Sequence, residues 1–508
     1  MVRGFSFKAL SSVVQAVSGR FFNGRSPVSG LPGCGRGARA AALFGLVALT
    51  SAPAAAWAQA MPPELQKVWQ AAKLPDAAFS LYVQEIGGPV LMAVNAGQPR
   101  NPASVMKLVT TWGALAGLGP NYTWRTAFYT DPGARIDEQG TLKGPLYLKA
   151  GADPNLTAEE LWGLLRELRL RGVKNVTDVV VDRSVFGAVA IDPSEFDGAG
   201  DRPYNASPDA MMVGLGVVRL VFQPDRQARR WIPLIDPPVP GLRIAGDVAW
   251  SDAVCPGSPG VVTQVSSAGA DATITVSGQA AGSCGEFSVY RLVQPQQRHF
   301  ETTFQMLWRE LGGTLGKGFR EGKVPGGATL LTWRDSEPLS EAIRWVNKQS
   351  NNVMARTLLL TLAAETQGAG ATVQSGMRAL QQVLNGQGVN TTGWVFDNGS
   401  GLSREGRVTA QGLGGMLLTA WNSPLMPEFV SSLAISGVDG TVRRRLKADE
   451  VRGMAHLKTG SLRDVRALAG YVLGASGKRY VLVSMVNHER AAAGRPFDDA
   501  LVKWLAAR

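Results

Sequence analysis

The stretch "NPASVMKLVTT", residues 101–111, places Ser104 and Lys107 three apart where an apolar run begins. On a helix, positions i and i+3 share a face, so the lysine amine reaches the serine hydroxyl. Val105, Met106, Leu108 and Val109 surround Lys107 with apolar side chains. Burying an ammonium lowers its pKa, because the charged form loses hydration. A neutral amine beside a hydroxyl is a base beside a nucleophile, which is what acyl transfer through serine requires. The same pattern also describes a helix cap followed by a solvated lysine, so alone it decides nothing.

Two further short patterns each occur once. Ser350-Asn351-Asn352 is the chain's S-x-N, and Lys458-Thr459-Gly460 is its K-T-G. Serine and asparagine are common turn residues, and K-T-G suits many strand entries. Their order and setting carry the information: S-x-x-K opens a helix, S-x-N falls between two helices, and K-T-G enters a strand.

The elements that must position these residues can be read around them. "LPDAAFSLYVQEIGGPVLMAV" alternates about a Gly-Gly turn and predicts a hairpin at a sheet edge. "SVMKLVTTWGALAGLG" predicts a buried helix ending near Gly117 or Gly119. From about Tyr122 to Lys323 the texture changes to short β-like runs, one helix over "AEELWGLLRELRLRG", and many Gly and Pro turns, as in an inserted α+β region. Helices return in "PLSEAIRWVNKQSNNVMARTLLLTLAAET" and "TAQGLGGMLLTAWNS". "VRALAGYVLGA" and "KRYVLVSMVN" read as two antiparallel strands, and "FDDALVKWLAAR" as a closing helix with an apolar face.

Composition narrows the function classes. The chain has 508 residues, 45% of them hydrophobic, enough for two or three domains. Residues 1–60 carry six basic side chains and no acidic ones, then the apolar run Ala40–Leu49 and the small residues "SAPAAAWAQA". That order is expected of a secretory leader cut after Ala60, with Ala58 an alternative, so the mature chain is expected in the periplasm. Losing those six basic residues lowers the net charge from +12 to +6. Basic runs interleaved with aromatics are missing, so nucleic acid is not an expected partner. No later segment has the roughly 18 apolar residues a membrane span needs, leaving at most peripheral contact through the last helix. Cys255 and Cys284 remain in an export context, which suggests a disulfide, with two buried thiols as the alternative. The histidines His299, His456 and His488 lack metal-ligand spacing.

With the three patterns in this order, the chain resembles the penicillin-recognising serine acyltransferases, which include penicillin-binding proteins and serine β-lactamases. More narrowly it resembles the low-molecular-mass class C D-alanyl-D-alanine carboxypeptidase/endopeptidases of peptidase family S13. "AGADPNLT", "VVVDRSVFG", "YNASPDAMMVGLGVV", "DNGSGLSREGRVTA", "SGVDGTVRRRL" and "LKTGSLRDVRALAGYV" carry that likeness along nearly all of the mature chain. The 246 positions from Ser104 to Ser350 exceed what a compact class A β-lactamase holds there, whereas the 108 from Ser350 to Lys458 are ordinary for the group.

The resemblance implies an α/β (α+β) fold of the penicillin-recognising transpeptidase/β-lactamase kind, an antiparallel sheet flanked by helices, with a large inserted region of two subdomains. Its expected parts are a leader over 1–60, catalytic segments over 61–125 and 324–508, and an insertion over 126–323. By motif, Ser104 is the implied nucleophile and Lys107 its base, while Ser350 and Lys458 relay a proton to the leaving amine. Asn352 holds the acyl-side amide, and Lys458 and Thr459 bind the substrate carboxylate. The N–H groups of Ser104 and Ser461 form the oxyanion hole, and Gly460 leaves room for a substrate lying along the strand.

Asp182 is implied to pair with a diaminopimelate amine, although a strand-end cap explains it equally well. Peptidoglycan peptides are the implied substrates and β-lactams the implied inhibitors, with no cofactor or metal. Two rival readings follow from the same residues. A serine β-lactamase needs a second general base, and neither an E-x-x-L-N-like element after Ser350 nor a Y-x-N box is present. A non-catalytic wall-binding protein on this fold has no use for both Ser104 and Lys107.

Overall fold

The computed structural model describes residues 61–268, 271–447 and 450–508. The expected leader therefore lies outside the described residues.

At the centre is a six-stranded antiparallel sheet. Its strands run in the order Ala434–Ile435, Ala455–Leu462, Val465–Leu473, Arg479–Asn487, Phe79–Glu85 and Val90–Val94. Period-two geometry explains why "YVLVSMV" lacks the apolar–polar alternation of a half-exposed strand. Val481, Val483 and Met485 point into one core with Trp112, Leu413 and Met416, while Leu482 and Val486 point into the other with Trp69, Phe497 and Leu501. Both faces are covered, so both sets of positions are apolar apart from Ser484, whose hydroxyl donates to the buried Asp498 at 2.8 Å.

The second face is closed by helix Pro63–Ala71 and the terminal helix Arg495–Ala506. Trp69 stacks on Phe79 at 4.3 Å, and Phe497 meets both rings edge-on. The last helix thus spends its apolar face on the core. Among the described residues, no helix is long and apolar enough to cross a membrane.

The expected hairpin forms, with Leu81 opposite Val94 and Val90–Val94 at the sheet edge. The expected buried helix is a turn of 3-10 helix, Ala103–Val105, running into Met106–Leu118 and closed by Gly119 at φ 83°. A positive φ at this C-terminal position favours glycine.

The inserted region has two parts. One is a mixed five-stranded sheet, ordered Thr314–Glu321, Asn175–Asp182, Leu146–Lys149, Arg125–Thr130 and Thr329–Asp335, backed by helices Ala158–Leu170 and Gln296–Glu310. The other joins a three-stranded and a four-stranded sheet around Phe222, Trp231, Ile274 and Val276. Cys255 and Cys284 form a disulfide in this part.

Strand Thr329–Asp335 pairs with Arg125–Thr130, so the insertion's sheet extends to Asp335 and not to residue 323 as expected. The cause is long-range pairing, which leaves no mark in the local composition of that strand.

Candidate active site

Ser104 sits in the 3-10 turn immediately before helix Met106–Leu118, and Lys107 follows one turn later. The Lys107 amine lies 3.0 Å from Ser104 Oγ, 2.6 Å from Asn352 Oδ1 and 2.5 Å from the carbonyl oxygen of Ser400. Its side chain is fully buried. Burial, then the charges of Lys458 and Arg356, hold its pKa well below the ordinary lysine value.

A neutral amine has two N–H donors and one lone pair. The Ser400 carbonyl only accepts, and Asn352 presents its oxygen, so both N–H groups are used there. In that neutral form the lone pair would be left for the Ser104 hydroxyl, 3.0 Å away.

Ser350 and Lys458 form the second half of the cluster. The Lys458 amine donates to Ser350 Oγ at 2.9 Å and to the Thr459 carbonyl at 2.9 Å. Burial lowers its pKa to about 7. Ser350 ends helix Leu339–Gln349 in the left-handed conformation, φ 58° and ψ 40°, before Asn351 caps helix Asn352–Gln367. Ala103 and Asp397, at φ 45° and 48°, flank the same cluster. Such backbones cost on the order of 1–3 kcal/mol each and persist where the surroundings enforce them, commonly at active sites.

Thr459 Oγ1 is 2.9 Å from Thr441 Oγ1, which comes from the "SGVDGTV" stretch. Gly460 also relieves crowding within the protein itself. A Cβ there would lie 2.4 Å from the Pro102 carbonyl oxygen and 3.1 Å from Val105 N, so the missing side chain lets the strand pass against the turn that carries Ser104. Gly460→Ala is expected to push this turn away, slow acylation by about tenfold and cost about 1–3 kcal/mol of stability, as overpacking does. Stopped-flow acylation and thermal melting measure the two effects. Ser461 is the next residue on that strand and is exposed. His456 packs, with Nδ1 3.2 Å from the Val430 carbonyl oxygen.

Asp182 is not brought into this cluster. Its two carboxylate oxygens accept from the backbone N–H groups of Ser184 (3.0 Å) and Val324 (2.9 Å). Burial works to raise its pKa, but these bonds and the Ser184 hydroxyl outweigh it, and the net shift is downward. That is the strand-end cap. Asp182 lines a cavity of about 1480 Å³ within the inserted region, whose walls include neither Ser104, Lys107, Ser350 nor Lys458. Chemistry, not cavity size, locates the active site.

Two contributors escaped sequence reading because they are backbone carbonyls: Ser400 O on Lys107, and Tyr204 O, which accepts from Asn352 Nδ2 at 3.0 Å. The first lies in "DNGSGLS", where Gly401, at φ 74°, brings the loop so close that a Cβ would sit 1.9 Å from the Ala103 carbonyl oxygen. Glycines in that loop were the available signal.

Residues 62–508 match the D-Ala-D-Ala carboxypeptidase 3 (S13) family. The chain belongs to this family. It is 30% identical over 441 residues to a D-alanyl-D-alanine carboxypeptidase of Actinomadura sp. (strain R39), covering 82% of this chain and 79% of the relative. Its fold matches penicillin binding protein 4 (dacB) from Haemophilus influenzae with a TM-score of 0.71 at 24% identity, covering 87% of this chain and 99% of that one. The same protein complexed with a novel β-lactam matches with a TM-score of 0.68 at 23% identity, covering 88% of this chain and all (100%) of that one. The expected fold is therefore present, and the chain is a serine-type peptidase of the D-Ala-D-Ala carboxypeptidase family.

Proposed function

We propose that this chain is an exported, periplasmic DD-peptidase that cleaves both D-Ala-D-Ala stem-peptide ends and D-Ala–diaminopimelate crosslinks of peptidoglycan. The observation that carries this reading is the buried Lys107 amine, 3.0 Å from Ser104 Oγ and held from its other sides by Asn352 Oδ1 and the Ser400 carbonyl oxygen.

Ser104 Oγ attacks the carbonyl of the terminal or crosslinking D-alanine bond while Lys107 takes its proton. The oxyanion is held by the backbone N–H groups of Ser104 and Ser461, each such donor contributing about 3–4 kcal/mol. As the C–N bond breaks, a proton passes through Ser350 and Lys458 to the leaving amine, and the acyl group remains on Ser104. Water then attacks the ester and regenerates the serine. Lys458 and Thr459 bind the substrate's carboxylate. Asn352 keeps one N–H and one lone pair unused by Lys107 and Tyr204, enough for the acyl-side amide. Trimming and crosslink cleavage share every step and differ in the amine that leaves.

β-Lactams enter the same path, and their leaving group stays tethered. Intact mass of residues 61–508 with benzylpenicillin tests the reading, alongside muropeptide digests of a pentapeptide monomer and a crosslinked dimer. The expected result is a slowly lost adduct on Ser104 and conversion of both muropeptides. Rapid turnover of the antibiotic would replace the reading with a β-lactamase, and intact antibiotic with no adduct would replace it with a non-catalytic wall-binding protein. Conversion of the monomer alone would remove the endopeptidase half.

A further inference from the structure

Arg356 lies one helical turn beyond Asn352 on the same face of helix Asn352–Gln367. It is 6% exposed, and its Nη1 donates to the Ala206 carbonyl in a buried bond of 2.9 Å. Asn352 Nδ2 donates to the Tyr204 carbonyl at 3.0 Å. Two side chains one turn apart therefore take two carbonyls two residues apart, and the partner segment comes from the inserted region. Asp197 stiffens that segment from the other side, accepting from the Tyr204 hydroxyl and the Asn205 amide, both at 2.8 Å.

We propose that Arg356 is a positioning residue for acylation: it pins the Tyr204–Ala206 backbone against the helix and so fixes which end of the Asn352 amide faces Lys107. This rests on the reading of Ser104 as nucleophile and Lys107 as base. If the Asn352 amide turned over, its nitrogen would donate to Lys107 and occupy the lone pair meant for Ser104, while its oxygen would face the Tyr204 carbonyl, acceptor against acceptor. The Tyr204 carbonyl prevents this only while it stays in place.

A buried guanidinium without a carboxylate in contact is costly, and an apolar side chain would avoid that cost. What the guanidinium adds is the bond to Ala206 and a positive charge near Lys107. The groups facing Lys107 are Ser104 on its own turn, Lys458 from the sheet, Asn352 and Arg356 from the helix, and the Ser400 carbonyl from the loop. Lys458 and Arg356 both oppose its protonation, and Asp397 acts on Arg356.

The test measures benzylpenicillin acylation against pH in the wild type, Arg356→Gln and Arg356→Lys, with hydrogen exchange of the peptide spanning residues 197–210. Arg356→Gln is expected to acylate about tenfold more slowly, the scale of one lost bond to a charged group. Its acidic limb should move to higher pH because a positive neighbour of Lys107 is gone, and residues 203–206 should exchange faster. Arg356→Lys should return the limb towards the wild-type position. A wild-type rate with an unshifted limb in Arg356→Gln overturns the proposal. Should that variant not fold, Arg356→Lys decides: acylation and exchange must change together or stay together, and a change in one alone overturns it. A wild type without any Ser104 adduct removes the functional reading and this role with it. A wild type that acylates beside an equally fast Arg356→Gln removes only the role of Arg356.

Discussion

Ser104→Ala is expected to form no penicilloyl adduct and to lose D-Ala-D-Ala hydrolysis by on the order of 10⁴-fold or more, since removing a nucleophile leaves only binding and oxyanion stabilisation. The fold should be unaffected. Ser104 sits in a turn held by other groups, among them the bond from Val105 N to the Pro102 carbonyl and the packing of Gly460 against that turn. Losing its hydroxyl removes one contact of Lys107 and leaves two, to Asn352 and Ser400. Substrate should still bind, because the implied carboxylate site at Lys458 and Thr459 is untouched. The measurement is intact mass with benzylpenicillin, paired with a binding titration of a D-Ala-D-Ala peptide. An adduct that persists in the variant would mean another nucleophile and would sink the assignment of Ser104.

Lys107→Met should be nearly as severe, lowering acylation by about 10²–10⁴-fold, the range for loss of a general base. It also strands the Ser400 carbonyl and the Asn352 oxygen, so some stability is lost as well. Lys107→Arg separates the two effects. It keeps donors for those oxygens, but a guanidinium does not deprotonate in proteins, so it should fold better than the methionine variant and be equally slow.

The pH dependence follows in sign. Lys107 must be neutral to accept a proton, and burial, Lys458 and Arg356 push its pKa well below the ordinary lysine value, so acylation rises with pH through a limb that lies well below the ordinary lysine range. Lys458, lowered to about 7 by burial, titrates beside it, so the limb belongs to the pair. Acylation rates of the wild type that do not rise with pH at all on the acidic side would contradict a Lys107 that must lose its proton to act.

Much of this site was legible because residue type and short spacing sufficed. Three positions of helix bring Lys107 to Ser104 whatever the rest of the chain does, and the apolar neighbours of Lys107 announce its burial. Ser350 and Asn352 stand where a helix must break, and the left-handed φ at Ser350 is the form that break takes. Asp182 was ambiguous because a carboxylate at a strand end serves a backbone amide or a ligand equally well, and only its distances to Ser184 N and Val324 N show that it caps. Gly460 was singled out for room along its strand, and the crowding it relieves within the protein comes from the turn at Pro102–Val105, a neighbour more than 350 positions away in sequence.

The sequence alone therefore determined that Ser104 and Lys107 meet, and the order of the three patterns, because each depends on local geometry and on the identity of a few side chains. The tertiary structure decided what the amines point at. The Ser400 and Tyr204 carbonyls, the bond from Arg356 to Ala206, and the strand at Thr329–Asp335 that closes the insertion's sheet are backbone groups and long-range pairings. A backbone carbonyl is the same at every residue, so no letter of the sequence marks which one will face a buried lysine; only the packing of distant segments does.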